Sequence, residues 1–535
     1  MMFSKLRNLA FIALLGFSPI FLQAQTSVTP KPNWQNLDLT SDSTFGISTE
    51  KAYQELLKDK KAQTVIVAVI DGGVDITHED LKSVIYVNKK EKAGNKKDDD
   101  KNGYKDDING WDFIGGDTAD VHYDNLELTR LVREGNAKYA NVDVAKLADK
   151  EKADYQAYQD MKADLNNQLM DAQNNLKGIR GFVGVLDQVV AKIGKENPTL
   201  ADFEAFDPVG PGETQIKKVI TNVMKEEPDF KKFKNEQLDE AIKHYEVLAK
   251  YQLNVDYDPR SIVGDNYNDV TQRFYGNADV TGPDALHGSH VAGIIGAVRD
   301  NNLGIKGVAD HVNILVVRTV PDGDERDKDV ANSIRYAADN GAKVINMSFG
   351  KGYSKDKKAV DDAVKYAISK DVLLVHAAGN ENSNTEIANN FPNKNYEGGG
   401  IADAWIEVGA SGPVNDESLK ASFSNYGKTT VDVFAPGVRI QSTVPNNKYI
   451  EEDGTSMASP VVAGLAALIR SYYPKLTAVQ VKDIIMKSVV KINHDVTVVD
   501  GGTTKEVPFS DLCLSGGIVN AYNALKMAES ISKNL

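Results

Sequence analysis

Short, continuous runs of apolar residues recur along the chain, and each is followed by turn residues such as Gly, Asp or Asn. Because these runs do not alternate with polar residues, they predict strands buried on both faces, as in a parallel sheet. Segments with helical spacing, such as DVANSIRYAADNGA and DKKAVDDAVKYAISKD, lie between some of the runs. This strand–helix–strand order predicts an α/β fold with helices on both faces of the sheet. The runs are TVIVAVIDGG from Thr64, VNILVVRTV from Val312, KVINMSFG from Lys343, VLLVHAAGN from Val372, WIEVGAS from Trp405 and VDVFAPG from Val431.

Residues 128–256 do not fit this pattern. They are rich in Lys, Glu, Asp, Gln and Ala, lack strong strand runs, and show helical spacing with exposed charge. We interpret the block as a helical insertion, either a solvated decoration or a binding element. The chain then divides into an N-terminal extension at 25–61, a first α/β part at 62–127, the insertion, and a second α/β part at 257–535. The extension has the composition of a polar connector followed by a short amphipathic helix.

The net charge and the N-terminal sequence indicate which classes of function and location the protein can have. The net charge of -14 makes the chain a poor candidate for nucleic acid binding, which draws on clustered Lys and Arg. Residues 1–24 combine a basic start, an apolar run and a small residue for cleavage, which is typical of a secretory signal peptide. We therefore expect a secreted or periplasmic protein with no membrane span after signal removal. The single cysteine, Cys513, excludes an internal disulfide framework.

Polar residues stand where chemistry collects in such a fold, beyond the carboxyl ends of strands and at the starts of helices. Asp71 ends TVIVAVID, His287 lies in GPDALHGSHVAGIIGAV, and Ser456 lies in GTSMASPVVAGLAALI. A serine at a helix start ordinarily caps the helix. With an imidazole as base and a carboxylate to orient that imidazole, the same hydroxyl becomes a nucleophile. Asn380, after the buried run VLLVHAAGN, would supply an amide donor to an oxyanion.

Five segments together resemble a known family. VIVAVIDGGVD, HGSHVAGIIGA, INMSFG, AAGNEN and GTSMASPVVAGLAALI are similar to the signature segments of the subtilisin-like serine proteases, or subtilases, and occur in that family's order. The resemblance covers roughly residues 64–124 and 265–525. It implies a three-layer subtilisin-like fold with a mainly parallel sheet flanked by helices. It also implies a serine endopeptidase that acts on proteins or peptides without an organic cofactor, and the signal sequence predicts that this enzyme is secreted or periplasmic.

The resemblance also implies a role for individual residues. Carried over position by position, Ser456 would be the nucleophile, His287 the general base and Asp71 the orienting partner of His287. Asn380 and the backbone N–H of Ser456 would form the oxyanion hole. Other matched residues would contact substrate, either by backbone pairing or as walls of the primary specificity pocket. These residues are Ser348, Phe349, Gly350, Ala378 and Gly379.

The stretch GNKKDDDKNGYKDDINGWDFIGGD is unusually acidic. It contains the pattern Asp-x-Asp-x-Asn-Gly, which matches the first half of a calcium-binding EF-hand loop. The twelfth position is Asn109 rather than Glu, so the loop is not an EF-hand. Since calcium-stabilised loops are common among subtilases, we expect either a structural calcium site or a solvated acidic turn. The candidate ligands are Asp98, Asp100, Asn102 and Asp106, with Asp107 as an alternative to Asp106.

Three features depart from the family pattern. Gly72 follows Asp71 where the family usually has Ser or Thr, so a hydrogen bond to the carboxylate is expected to be lost. The 215 residues between Asp71 and His287 exceed the family's usual spacing, and we interpret the insertion as a cap over the active site or a partner-binding arm. Residues 25–61 are too few for a folded inhibitory prodomain of the usual kind.

Two other functions compete with this interpretation. A non-enzymatic scaffold would bind peptides or partners through the insertion. Such a protein is expected to have lost at least one of the three catalytic residues, but Asp71, His287 and Ser456 are all present. A metal-dependent hydrolase would use His287 and His290, three positions apart on one helix. No Glu or third His stands at the spacing typical of zinc-binding helices, which disfavours this alternative.

Overall fold

The structure, a computed structural model, describes residues 30–500 and 502–535 and divides into two compact units. The larger unit comprises Asp258–Leu535 and the described residues before Leu128, and the smaller unit is Leu128–Tyr257. The predicted signal peptide at 1–24 lies outside the described residues. Within the described ranges, no helix has the length and apolar character that crossing a bilayer requires.

A mainly parallel sheet forms the centre of the larger unit. The strands are β1 (Val65–Asp71), β2 (Gly110–Asp112), β3 (Val312–Arg318), β4 (Val344–Met347), β5 (Leu373–Ala377), β6 (Trp405–Ser411), β7 (Val433–Pro436), β8 (Ile440–Val444), β9 (Lys448–Glu452), β10 (Val490–Lys491), β11 (Asp495–Asp500), β12 (Thr503–Pro508) and β13 (Gly517–Ile518). Nine of them form one sheet in the order β10-β13-β7-β6-β5-β4-β1-β3-β2. All neighbours in it pair in parallel except β10 and β13. The predicted α/β class is confirmed.

Helices cover both faces of this sheet. The helices of the larger unit are α1 (Leu39–Asp42), α2 (Thr49–Ala52), α9 (Leu286–Gly296), α10 (Asp327–Asp339), α11 (Lys357–Ser369), α12 (Thr455–Tyr472), α13 (Ala478–Lys487) and α14 (Ala521–Ser532). The helices of the smaller unit, described below, are α3 (Glu127–Tyr139), whose first residue belongs to the larger unit, α4 (Asp149–Ile193), α5 (Leu200–Ala205), α6 (Pro211–Glu226), α7 (Phe230–Phe233) and α8 (Glu240–Val247). Successive side chains of a strand point to opposite faces. In β1, Val67 and Val69 pack in one core with α9 and α12, whereas Ala68 and Ile70 pack in another with α10 and α11. The result is the predicted three-layer arrangement.

The segment before β1 contributes large side chains to the core of the larger unit. Trp34 and Phe45 are each 1% exposed, and Ile47 is fully buried. The indole Nε1 of Trp34 donates a hydrogen bond to the carbonyl of Val438 at 3.0 Å. The polar composition of this extension did not indicate such burial.

The smaller unit is helical and has an apolar core of its own. Phe182, Leu186 and Val189, on one face of α4, pack with apolar side chains of α5, α6 and α7. Much of the remaining surface of α4 is charged and exposed, as expected for an amphipathic helix. The helix ends at Gly194, whose φ of 76° is the left-handed conformation typical of a glycine C-cap.

Candidate active site

The carboxyl ends of three neighbouring strands gather the predicted polar residues at one edge of the sheet. Strand β4 pairs in parallel with both β1 and β5, so the three strands end on the same side. Asp71 is the last residue of β1, Ser348 follows β4, and residues 378–383 follow β5. We call residues 378–383 the post-β5 loop. Ligands bind beyond this edge in open α/β sheets.

His287 lies against the carboxylate of Asp71. The Nδ1 atom of His287 is 2.8 Å from Oδ1 and 2.9 Å from Oδ2 of Asp71. His287 stands in the first turn of α9, and the Asp71 carboxylate is buried at the end of β1. A carboxylate in this position favours a proton on Nδ1, which leaves Nε2 as the basic nitrogen of the neutral ring. The sequence-predicted pair is therefore in hydrogen-bonding contact.

The Asp71 carboxylate has a second donor. The backbone N–H of Gly72 donates to Oδ1 of Asp71 at 2.7 Å. This backbone bond involves no side chain at position 72. Although Gly72 has no side-chain hydroxyl to donate, the Asp71 carboxylate is therefore still oriented by two donors, His287 and the main-chain N–H of Gly72.

Ser456 occupies an unusual place on α12. From residue 454 to residue 471, Ser456 alone is partly exposed, and every other residue is buried. The N-cap of the helix is Gly454, which has no side chain to accept a capping bond. The Ser456 hydroxyl instead donates to the carbonyl of Ser348 at 3.1 Å, and the Ser348 hydroxyl donates to the carbonyl of Ser456 at 3.0 Å. Helix capping therefore does not account for the serine at this position.

Asn380, in the post-β5 loop, is fixed against the start of α12. Its Oδ1 accepts hydrogen bonds from the backbone N–H of Thr455 at 2.9 Å and from the Thr455 hydroxyl at 3.0 Å. The same hydroxyl accepts a bond from the backbone N–H of Gly379 at 3.1 Å. Because both bonds to Asn380 use the amide oxygen, they hold the amide in one orientation, next to Ser456 along the helix.

His290 lies one turn beyond His287 and is fully buried. Its Nε2 donates to the carbonyl of Ile450 at 3.2 Å, and burial lowers the pKa of the ring to about 3. The ring is therefore neutral and serves packing. Among the described residues, neither histidine belongs to a group of side chains spaced to hold a metal ion. This geometry does not support the metal-dependent alternative at the two histidines.

The acidic loop brings together a different set of carboxylates from the one in the sequence pattern. Carboxylate oxygens of Glu91, Asp100 and Asp107 lie within 4.8 Å of one another. Burial, together with the nearby Asp100, raises the pKa of Asp107 to about 6. Asp98 accepts bonds from the backbone N–H groups of residues 102 and 103, and Asp106 from those of residues 95 and 96.

Glu91 could not be found from the pattern, because it stands well before the acidic run. Its carboxylate accepts hydrogen bonds from the backbone N–H groups of Asp99, Asp100 and Asp106. Asn102, also predicted as a ligand, uses its Oδ1 to accept a bond from the backbone N–H of Tyr104 at 2.8 Å. Of the predicted ligands, Asp100 and the alternative Asp107 thus lie in the carboxylate cluster of the described chain, and Asp98, Asn102 and Asp106 do not.

Comparison with known proteins identifies the family. The sequence profile of the subtilase family, Peptidase_S8, matches residues 182–509, which is more than half of the chain. The chain therefore belongs to the subtilase family, as the sequence motifs predicted. The matched range includes His287, Asn380 and Ser456, and Asp71 precedes it.

Individual relatives agree with this assignment. The chain is 46% identical over 186 residues to the thermophilic serine proteinase of Bacillus sp. (strain AK1), covering 35% of this chain and 42% of that protein. It is 41% identical over 201 residues to subtilisin DY of Bacillus licheniformis, covering 37% of this chain and 68% of the relative. It is also 41% identical over 216 residues to thermitase of Thermoactinomyces vulgaris, covering 39% of this chain and 72% of the relative.

Proposed function

We propose that the chain is a serine endopeptidase that hydrolyses peptide bonds of proteins through Asp71, His287 and Ser456. The observation that carries the proposal is the hydrogen bond between Asp71 and His287 at the edge of the sheet. Ser456, which is partly exposed and does not cap its helix, bonds to Ser348 at the end of the neighbouring strand β4. The side chains come from one strand end and from the first turns of two helices, so rigid elements hold each of them. Membership of the subtilase family supports the same reaction.

The proposed mechanism gives each of these three side chains one role. The Oγ of Ser456 attacks the carbonyl carbon of the scissile peptide bond while Nε2 of His287 accepts the hydroxyl proton. Asp71 holds the ring by Nδ1 and stabilises the imidazolium that forms. His287 then gives the proton to the leaving amine, which leaves an acyl group on Ser456. Water, deprotonated by the same imidazole, then attacks the acyl carbon. The bond to Oγ breaks, His287 returns the proton to Ser456, and the second product leaves as a carboxylic acid.

Asn380 supports the negative charge that develops on the carbonyl oxygen. Its amide oxygen is held by Thr455, so the amide nitrogen is the atom that donates to the oxyanion. The backbone N–H of Ser456, in the first turn of α12, is the second donor. The N-terminal end of the helix dipole favours the same charge. Losing one such donor lowers kcat by roughly 10²–10³, the range known for subtilisin.

The segment after β4 supplies backbone for substrate binding. We place an extended peptide beside Ser348, Phe349 and Gly350, paired as an additional strand. Gly350 is exposed, and a Cβ at this position would lie 2.3 Å from Oδ1 of Asn390, so only glycine fits without displacing that side chain. Ala378 and Gly379 form a wall of the primary specificity pocket in this proposal.

A structural calcium ion fits the acidic loop. Calcium binds oxygen ligands at 2.3–2.6 Å, so two ligand atoms on one ion lie at most about 5 Å apart. Carboxylate oxygens of Glu91, Asp100 and Asp107 lie within 4.8 Å of one another and so meet this limit. We propose that these residues hold the ion, in place of the wider set that the sequence pattern predicted. The ion would offset the mutual repulsion of the carboxylates and stabilise the loop; no catalytic step involves it.

Secretion is proposed from the N-terminal sequence. Residues 1–24 have the composition of a signal peptide, and a chain with one cysteine would be stabilised outside the cytosol by packing and by bound cations rather than by disulfides.

Hydrolysis by purified protein tests the function directly. Cleavage of casein and of a chromogenic peptide would be measured for the wild type and for Ser456→Ala, His287→Ala and Asp71→Asn. Each variant is expected to lose at least about 10³-fold in kcat. Ser471→Ala, a buried serine at the far end of α12, is the matched control and should retain activity. If the Ser456→Ala variant cleaved substrate as fast as the wild type, the proposal would be contradicted. A wild type without activity would favour the scaffold alternative.

A further inference from the structure

Asn425, between β6 and β7, binds both ends of the post-β5 loop with one side chain. Its Oδ1 accepts hydrogen bonds from the backbone N–H groups of Glu381 at 3.1 Å and Ser383 at 2.8 Å. Its Nδ2 donates to the carbonyl of Ala378 at 2.9 Å and to Oε2 of Glu381 at 2.7 Å. Since an amide has two N–H donors and an oxygen that accepts twice, all its hydrogen-bonding capacity is used on this loop.

The backbone of the loop is shaped around this asparagine. The backbone N–H of Asn425 donates to the carbonyl of Gly379 at 2.9 Å. Gly379 has a φ of 100°, in the left-handed region, and a Cβ there would lie 2.4 Å from Nδ2 of Asn425. Any larger residue would therefore displace the Asn425 amide as well as strain the backbone. The conformation of Gly379 and the position of the Asn425 side chain therefore depend on each other.

Hydrogen bonds from two residues, Thr455 and Asn425, thus determine where Asn380 lies. Thr455, at the start of α12, binds the Asn380 amide oxygen and the Gly379 N–H. Asn425, which is 3% exposed, binds the residues before and after Asn380. Thr455 is the first residue of the helix that carries Ser456, whereas Asn425 lies in the connection between β6 and β7.

We propose that Asn425 is a positioning residue for the oxyanion hole, acting through the placement of Asn380; this inference rests on the proposed peptidase function. An oxyanion donor must lie 2.7–3.1 Å from the position of the developing oxyanion, so a small shift of the loop weakens it. Loss of the Asn425 amide would leave one carbonyl and two N–H groups of the loop without their partner. The loop would relax, and the transition state would lose stabilisation that the bound substrate does not use.

A double-mutant cycle with Asn380 tests this mechanism of action. Asn425→Ala alone is expected to lower kcat about 10–100-fold with less than about 3-fold change in KM. In an Asn380→Ala background, the same substitution is expected to lower kcat by less than about 2-fold, because the donor that it positions is already absent. Equal losses in both backgrounds, or a loss confined to KM, would overturn the inference. A Ser456→Ala protein that cleaves as fast as wild type would overturn the proposed function, and this inference with it.

A second variant keeps the test decisive if Asn425→Ala fails to fold. Asn425→Asp is isosteric, keeps the acceptor for both N–H groups and loses the donor to Ala378 and Glu381. It is expected to lower kcat about 10-fold or more, and Glu381→Gln in the same chain should restore part of the loss by donating to the new carboxylate. Asn520→Ala, a buried asparagine that caps α14, is the matched control for lost stability and should leave kcat unchanged. Wild-type kcat in folded Asn425→Asp would overturn the proposal.

Discussion

Replacing Trp34 by alanine tests whether the segment before β1 is a permanent part of the larger unit. Trp34 is 1% exposed, and its indole packs in the same core as α9 and α12. Removing a buried tryptophan costs about 3–5 kcal/mol through lost transfer energy and the cavity that is left. The Nε1 bond to Val438 adds about 1 kcal/mol, because the buried carbonyl loses its donor. We expect Trp34→Ala to lower the free energy of unfolding by about 4–6 kcal/mol.

The assay is urea unfolding followed by far-UV circular dichroism, with Ser456→Ala as the parent protein so that self-digestion does not interfere. Trp34→Phe is the matched control: it keeps most of the apolar volume, loses the hydrogen bond, and should cost about 1–2 kcal/mol. A loss below about 1 kcal/mol for Trp34→Ala would refute the reasoning, since a buried core residue cannot be removed that cheaply. It would show that the extension is an appendage that the folded unit does not need.

Three further predictions concern pH, calcium and the insertion. The pKa of His290 is about 3 in the folded protein and near 6.5 in the unfolded chain. Between pH 6.5 and pH 5 the unfolded chain therefore takes up a proton on this ring and the folded protein does not. The free energy of unfolding should fall by roughly 1.5–2 kcal/mol over this range. His290→Gln should remove that part of the pH dependence in acid denaturation curves, and an unchanged slope would contradict the assignment. Calcium at about 100 times its Kd should add about 2.7 kcal/mol of stability, measured as a rise in Tm that chelator reverses. Asp107→Asn should abolish this rise and Asp99→Asn should not; equal responses would exclude the proposed site. Replacing Leu128–Tyr257 with a Gly/Ser linker should change the ratio of protein to peptide cleavage if the insertion is a cap or partner-binding arm, and an unchanged ratio would refute that hypothesis.

The fold and the residues of the sheet edge could be predicted because their signals are local. The run ending at Asp71 is apolar without alternation, and the structure has it buried on both faces in β1. The residues after β4 and β5 were candidates for the same reason, since parallel strands end on one side. The helix starts at His287 and Ser456 were visible as polar residues before runs of small and apolar ones.

Other features depend on contacts between distant segments, which no local pattern reveals. Asn425 stands 45 positions after Asn380 in numbering, in a stretch with no motif of its own, and only the folded loops bring it to residues 378–383. Glu91 joins Asp107 because the chain turns back between them. Trp34 lies in a polar stretch, and its burial follows from packing against residues that are far away in sequence. Sequence periodicity carries no signal for such pairings.

The most direct measurement of the central claim is reaction of the purified protein with a fluorophosphonate, followed by peptide mapping of the adduct. An activated serine reacts because a neighbouring base accepts its proton, and an ordinary serine does not. We predict one adduct, on Ser456, that disappears in Ser456→Ala and forms far more slowly in His287→Ala. An unlabelled wild type, or an adduct that persists in Ser456→Ala, would contradict the account.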